Sequence, residues 1–233
     1  MSGSRLGLLA GAAGVALIIT GAAFAAPPDD RILPAEMHQS DKARTLAAKH
    51  GRALRDLSAE IYHCLPWVET RKHSIGFYKP RHVQDDRRFL SIRLYIEQEP
   101  SPQFARLSIE QRASAMFSRY VGAVLKRMTR QPAVRNDDTI DGFTVILEWL
   151  KQVPEGGQRP VHETIAAFVD KVDGESYLSG QLTMRDLATK ARVLGWDGET
   201  SVGALKLAAW DDDFVSTFRV KNYQPDPTIS CRQ

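Results

Sequence analysis

Four side chains of complementary chemistry fall on the outward positions of predicted strands. Strict alternation over residues 89–97 buries every second side chain and turns Arg93 and Tyr95 to the opposite face. Glu148 and His162 share that face if the neighbouring strands align. Because Arg and Tyr are enriched at interfaces, we predict that these four residues form a ligand-binding surface. The alternative is an ordinary solvated sheet face on which Arg93 pairs with Glu148 across strands.

Two cysteines, Cys64 and Cys231, are the only ones in the chain. Neither has a second cysteine at CxxC spacing, which argues against a thioredoxin-type redox site. A distant pair in an oxidising compartment most often bridges, so we predict a disulfide that ties the C-terminal region to the first helix. The alternative is two free thiols.

The remaining candidate motifs predict no catalytic residue, no bound metal and no cofactor. His162 begins a zincin-like HE pair, but Ala166 stands where the second histidine is needed. Residues 136–142 resemble a calcium loop in which Ile140 replaces an oxygen ligand. Walker A, GxGxxG and GxSxG patterns are absent from the sequence.

The amino-acid composition limits which classes of protein and which classes of partner are compatible with this sequence. The chain has 233 residues, of which 43% are hydrophobic and 25% are charged, as in ordinary globular proteins. Its formal net charge of +3 is weak beside the dense basic stripes of nucleic-acid-binding proteins, so we expect no nucleic-acid partner.

The N-terminal segment has a pattern that is typical of an export signal. Arg5 precedes 21 uncharged residues, Leu6 to Ala26, which end in a small-x-small site at Ala23–Ala25. We predict that residues 1–26 are a cleaved signal peptide and that the mature chain is periplasmic in a bacterial envelope. The alternative is an uncleaved membrane anchor, since 21 residues can just span a bilayer.

Residues 27–39 are rich in proline and predict an extended lead without a fold of its own. Three helices are predicted after it. The first starts at the N-cap Ser40 and stops before Pro66, and the second starts at Ser108 with a capping box and stops before Pro132. The third starts at Thr183, continues through Leu194 and has Gly195 just beyond its end. The alternative for its start is that residues 179–184 extend a strand.

The strand patterns complete a helix-strand-strand order that occurs three times. Strands are predicted at residues 67–78, 89–97, 143–151, 161–172, 202–210 and 214–223. Short connections between neighbouring strands favour hairpins. The sequence therefore predicts one α+β domain over residues 40–233, with an antiparallel sheet of about six strands and three helices on one face.

These features favour an exported envelope protein that acts as a non-enzymatic binding or interaction module. Its expected partner is an envelope protein or envelope ligand. Two alternatives stay open at this point. One is a hydrolase acting on envelope material with a site assembled from distant strands, and the other is a carrier of an apolar ligand between sheet and helices.

Overall fold

A seven-stranded, mostly antiparallel sheet forms the centre of the fold in the computed structural model, which describes residues 28–65, 67–97, 101–151, 156, 159–211 and 231. The strands are Val68–Thr70 (β1), Gly76–Tyr78 (β2), Phe89–Ile96 (β3), Gly142–Leu150 (β4), His162–Asp170 (β5), Arg192–Asp197 (β6) and Thr200–Ala204 (β7). Their order across the sheet is β1-β3-β4-β5-β6-β7, and β2 pairs with β3 alongside β1. The predicted mixed fold with a single sheet is confirmed.

Seven α-helices accompany the sheet within the described residues. They are Asp41–Cys64 (α1), Pro102–Ala105 (α2), Ile109–Met116 (α3), Gly122–Met128 (α4), Pro132–Arg135 (α5), Lys171–Leu178 (α6) and Met184–Lys190 (α7). The predicted N-cap is confirmed, since the Ser40 hydroxyl accepts a hydrogen bond from the Ala43 N–H. Among these helices, none combines the length and the apolar composition needed to cross a bilayer.

The second predicted helix is present but not uniform. The capping box at Ser108 and Gln111 starts α3, and a π-helical turn, Phe117–Val121, joins α3 to α4. The Ser118 hydroxyl in this turn accepts the N–H of Trp210 at 2.9 Å. The chain after β7 therefore leaves the sheet and crosses this helix, which is why the strand predicted to reach residue 210 ends earlier.

The sequence predicted an antiparallel sheet, but one pair of neighbouring strands is parallel. β3 and β4 are parallel neighbours, with Phe89 opposite Gly142 and Ile96 opposite Trp149. The segment from α2 to α5 connects them, and a helical crossover of this length leads the chain back to start a parallel strand. The strand predicted at residues 67–78 is interrupted by a turn at His73, which has a positive φ of 50°. Its two halves, β1 and β2, both pair antiparallel with β3.

The third predicted helix is too long. α7 ends at Lys190, and Leu194 and Gly195 belong to β6, where the backbone pairs with β5. α6 was not predicted from the sequence because only Gly174 of its residues is buried, which leaves no apolar stripe to detect. The strand predicted at 214–223 lies outside the described residues.

The proline-rich lead is folded onto the domain rather than free. It contains two 3-10 turns, Asp29–Arg31 and Ala35–Met37. The Leu33 N–H donates to the Ile75 carbonyl at 2.9 Å, and Ile32 forms a bridge with the same residue. Ile32 also packs against the hydrophobic core, so burial of this side chain outweighs the extended preference of the neighbouring prolines.

One hydrophobic core contains side chains of several helices together with one face of the sheet, which we call the inner face. Ile92, Leu94, Val145 and Leu147 are completely buried there, in a cluster that also contains residues of α1, α3, α4 and α7. We call the opposite side of the sheet the open face.

The predicted disulfide is confirmed. Cys64, the last residue of α1, is bonded to Cys231, with their Cα atoms 5.6 Å apart and 167 residues apart in sequence. Closing a loop of this length stabilises the folded chain by at most about 5 kcal/mol in the chain-entropy treatment.

The acidic stretch that resembles a calcium loop contains a buried carboxylate, Asp137, which is hydrogen-bonded to neighbouring protein side chains. His50 Nε2 in α1 lies 2.7 Å from Asp137 Oδ2, and the Lys49 ammonium lies 2.7 Å from the same oxygen. Thr139 donates to the other carboxylate oxygen through its hydroxyl and its N–H. Burial alone would raise the pKa of Asp137, but the hydrogen bonds from Lys49, Thr139 and His50 outweigh burial and hold the pKa well below its usual range.

Replacing Phe117 by alanine should lower the free energy of unfolding by about 3–5 kcal/mol, because its ring is fully buried and its loss leaves a cavity. Lys126→Ala, on the exposed side of α4, is the matched control and should change stability by less than about 0.5 kcal/mol. Denaturant unfolding of both variants measures this. Equal small effects would place Phe117 outside the core.

Replacing Asp137 by asparagine should cost about 1.5–3 kcal/mol at neutral pH, since it removes charged hydrogen bonds from a buried site. The lowered pKa means that the folded state resists protonation, so wild-type stability falls as the pH drops below about 4. The difference between variant and wild type should therefore narrow in acid. Urea unfolding at several pH values tests this, with the exposed neighbour Asp138→Asn as control.

Candidate binding surface

The strand register brings together the four residues that the sequence predicted to share a face. Tyr95 of β3 lies directly opposite Glu148 of β4, and Arg93 lies two residues before Tyr95 on the same side. The ring of His162 meets the ring of Tyr95 edge-on, with centroids 5.4 Å apart. Their common position on the open face is confirmed, and their binding role stays a prediction.

The carboxylate of Glu148 is the centre of this group. Arg93 donates to Oε2 from Nε at 3.2 Å and from Nη2 at 2.8 Å. Arg71 donates to Oε1 at 2.8 Å. The Glu148 side chain is only 9% exposed, whereas that of Arg93 is 47% exposed. The cross-strand pair considered as an alternative is therefore present, and it leaves one edge of the Arg93 guanidinium facing solvent.

Arg71 belongs to the same surface and was missed in the sequence. It follows β1 in the turn toward β2, where no alternating pattern indicates which way a side chain points. Its guanidinium lies 4.6 Å from the centroid of the Tyr95 ring, a cation–π contact, and also approaches Glu69 at 3.4 Å. Arg71 thus fixes both the carboxylate and the aromatic ring.

The surroundings keep Glu148 ionised. Burial alone would raise its pKa, but the hydrogen bond and charge of Arg71, with the charge of Arg93, outweigh burial and lower the pKa. Burial raises the pKa of Tyr95. At neutral pH the group is therefore a carboxylate held between two guanidinium ions, next to a neutral phenol.

A second buried carboxylate lies on the inner face, one residue after His162. Glu163 accepts from Arg112 Nε at 2.6 Å and Nη2 at 2.5 Å, and from the Trp149 indole N–H at 3.1 Å. Arg112 also donates to the backbone carbonyls of Ala105 and Leu107. All the donors come from α3 and β4, so this ion pair anchors the crossover helix to the sheet.

Metal binding has no matching arrangement in the described part of the chain. There, no group of three or more His, Cys, Asp or Glu side chains is placed to hold an ion. Comparison with protein-family models, with curated proteins and with solved structures finds no match for this chain.

A double-mutant cycle on Arg93→Ala and Glu148→Gln should give a coupling free energy of up to about 1 kcal/mol, because Arg93 is half-exposed. The coupling should weaken in 0.5 M salt. Arg52→Ala, an exposed arginine on α1, should add independently to Glu148→Gln. Zero coupling between Arg93 and Glu148 at low salt would contradict the two hydrogen bonds from Arg93 to Glu148 Oε2.

Proposed function

We propose that this protein is exported to the bacterial periplasm and acts as a non-enzymatic binding module, with the open face of its sheet as the contact surface for an envelope protein or envelope ligand. The observation that carries the proposal is the half-exposed Arg93, held rigidly by the buried Glu148 beside Tyr95 and His162. A pre-oriented guanidinium loses less conformational entropy on binding than a free one.

Two features support export. The N-terminal sequence has the basic, apolar and small-x-small regions of a signal peptide. The Cys64–Cys231 disulfide belongs to the kind of bond that persists in oxidising compartments such as the periplasm.

The state of the carboxylates favours binding over hydrolysis. A general acid or base needs a carboxyl group that is free to exchange a proton at the working pH. Both oxygens of Glu148 accept from arginines, and the two oxygens of Glu163 accept from Arg112 and Trp149. Both groups are committed to structural hydrogen bonds, so the hydrolase alternative gains no support from them.

The apolar-carrier alternative would be favoured by a cavity between sheet and helices. A groove of about 630 Å³ among the described residues lies elsewhere, between the N-terminal lead and α1. Pro28, Ile32 and Pro34 line one side of it, and Ala47 and Gly51 line the other. This groove therefore gives the carrier alternative no support, and the proposal rests on the oriented Arg93 of the open face.

The test uses protein purified from a periplasmic extract of the source bacterium, where its intact mass should correspond to a chain that starts at Ala26 or Pro27. This protein is mixed with the washed envelope fraction and sedimented. We expect wild type to cosediment and Arg93→Glu to lose most of its binding, because charge reversal repels Glu148 and removes the oriented cation.

Arg52→Glu is the matched control, with the same charge change on the exposed side of α1, and should cosediment like wild type. Circular dichroism of each variant shows whether it is folded. If folded Arg93→Glu cosediments as well as wild type, the open face is not the binding surface. A mass that includes Met1 would overturn export by cleavage.

A further inference from the structure

An aliphatic strip crosses the open face beside the Glu148 cluster. The register places Arg93 of β3, Ile146 of β4, Ala166 of β5 and Leu194 of β6 in one row perpendicular to the strands. Ile146 and Leu194 are half-buried, and the small Ala166 between them is almost fully buried. The row therefore forms a shallow apolar trough, with the guanidinium of Arg93 at one end.

A second exposed arginine stands at the other end of the trough. Arg192 of β6 lies at the next open-face position, beside Phe168 of β5. Among the described residues, no carboxylate lies within ion-pairing distance of Arg192, and Arg93 shares its only carboxylate with Arg71. Three strand spacings of about 4.8 Å separate β3 from β6, and Arg192 lies two residues, about 7 Å, along β6 from Leu194, so the backbones of the two arginines are about 16 Å apart.

Two aromatic rings of this face, those of Tyr95 and Phe168, are already engaged. Arg71 stacks on Tyr95, and His162 contacts its edge. The ring of Phe168 is met by His82 at a centroid distance of 4.9 Å. Sugar rings bind by stacking on free aromatic faces, whereas aliphatic surface between two cations suits apolar side chains between two carboxylates. The trough itself is aliphatic and therefore fits a peptide, whereas the ring of Trp196, which lies beside Leu194 on β6, makes an acidic glycan the competing outcome of the test.

We propose that the open face binds an extended acidic segment of a partner protein, in which two carboxylate side chains about four residues apart flank apolar side chains. Four residues of extended chain span about 13 Å, and the long side chains of Arg93 and Arg192 reach inward from backbones about 16 Å apart to meet carboxylates at that spacing. The carboxylates pair with the two arginines, and the apolar side chains cover Ile146, Ala166 and Leu194. This proposal rests on the proposed function and names the chemistry of its partner.

The test titrates the ¹⁵N-labelled mature protein with a synthetic peptide of sequence Ser-Glu-Val-Leu-Val-Glu-Ser, acetylated and amidated at its ends. We expect amide shifts at Ile146, Ala166 and Leu194. Arg93→Ala and Arg192→Ala should each weaken the affinity about 3- to 5-fold, as removal of one exposed ion pair does. Arg52→Ala should leave it unchanged, and the affinity should fall as salt rises from 50 to 500 mM.

A control peptide with glutamine in place of both glutamates should bind at least tenfold more weakly. No shift at 2 mM acidic peptide, or equal binding of both peptides, overturns the proposal, while cosedimentation that depends on Arg93 would still support the proposed function. Binding of polygalacturonate but not of the peptide would identify an acidic glycan instead.

Discussion

The parallel pairing of β3 with β4 is the constraint on which both faces of the sheet depend. Parallel neighbours cannot be joined by a tight turn, so the chain has to travel from Ile96 back to Gly142, and it does so through α2 to α5. That crossover brings α3 and α4 into the core with the inner face. The same pairing puts Tyr95 beside Glu148 on the open face, so the candidate surface exists because of the connection that shields the other side.

Ion pairs on both faces of the sheet stabilise the pairing register of its strands. Burying a carboxylate is costly unless a cation and hydrogen bonds compensate it, and each buried carboxylate here has its own donors. Glu163 attaches α3 to β5 through Arg112, and Glu148 attaches the turn between β1 and β2 to β4 through Arg71. A one-residue slip of β4 would turn Glu148 into the hydrophobic core, away from both arginines. These contacts therefore penalise alternative pairings that apolar packing alone would tolerate.

Local patterns made much of this fold predictable. α1 and the helix from α3 to α4 carry caps and apolar stripes, and alternation in β3 indicated which side chains share a face, including Arg93 and Tyr95. The disulfide was predicted from the number of cysteines and from the expectation of an oxidising compartment. The parallel pair, by contrast, depends on which distant strand β3 meets, and no local pattern encodes that choice.

The remaining differences have similar causes. α7 ends before the residue predicted from the sequence because the backbone that follows it, β6, pairs with β5. The paired segments are about 30 residues apart in the chain. Arg71 lies in a turn, where the direction of a side chain is set by tertiary contacts. The residues of the candidate surface that lie on regular strands could thus be predicted, and the one outside a strand could not.

The bond between Cys64 and Cys231 also determines how the chain would carry mechanical load. Tension applied between residue 28 and Cys231 passes along the lead and α1 and then directly through the two sulfur atoms. The intervening 166 residues, including every strand of the sheet, lie in a covalently closed loop outside that path. Within that loop the strands would be loaded only through the noncovalent contacts of the lead and α1 with the rest of the domain, such as the hydrogen bond from Leu33 to Ile75. With the disulfide reduced, force on Cys231 would instead run along the backbone through the strands themselves.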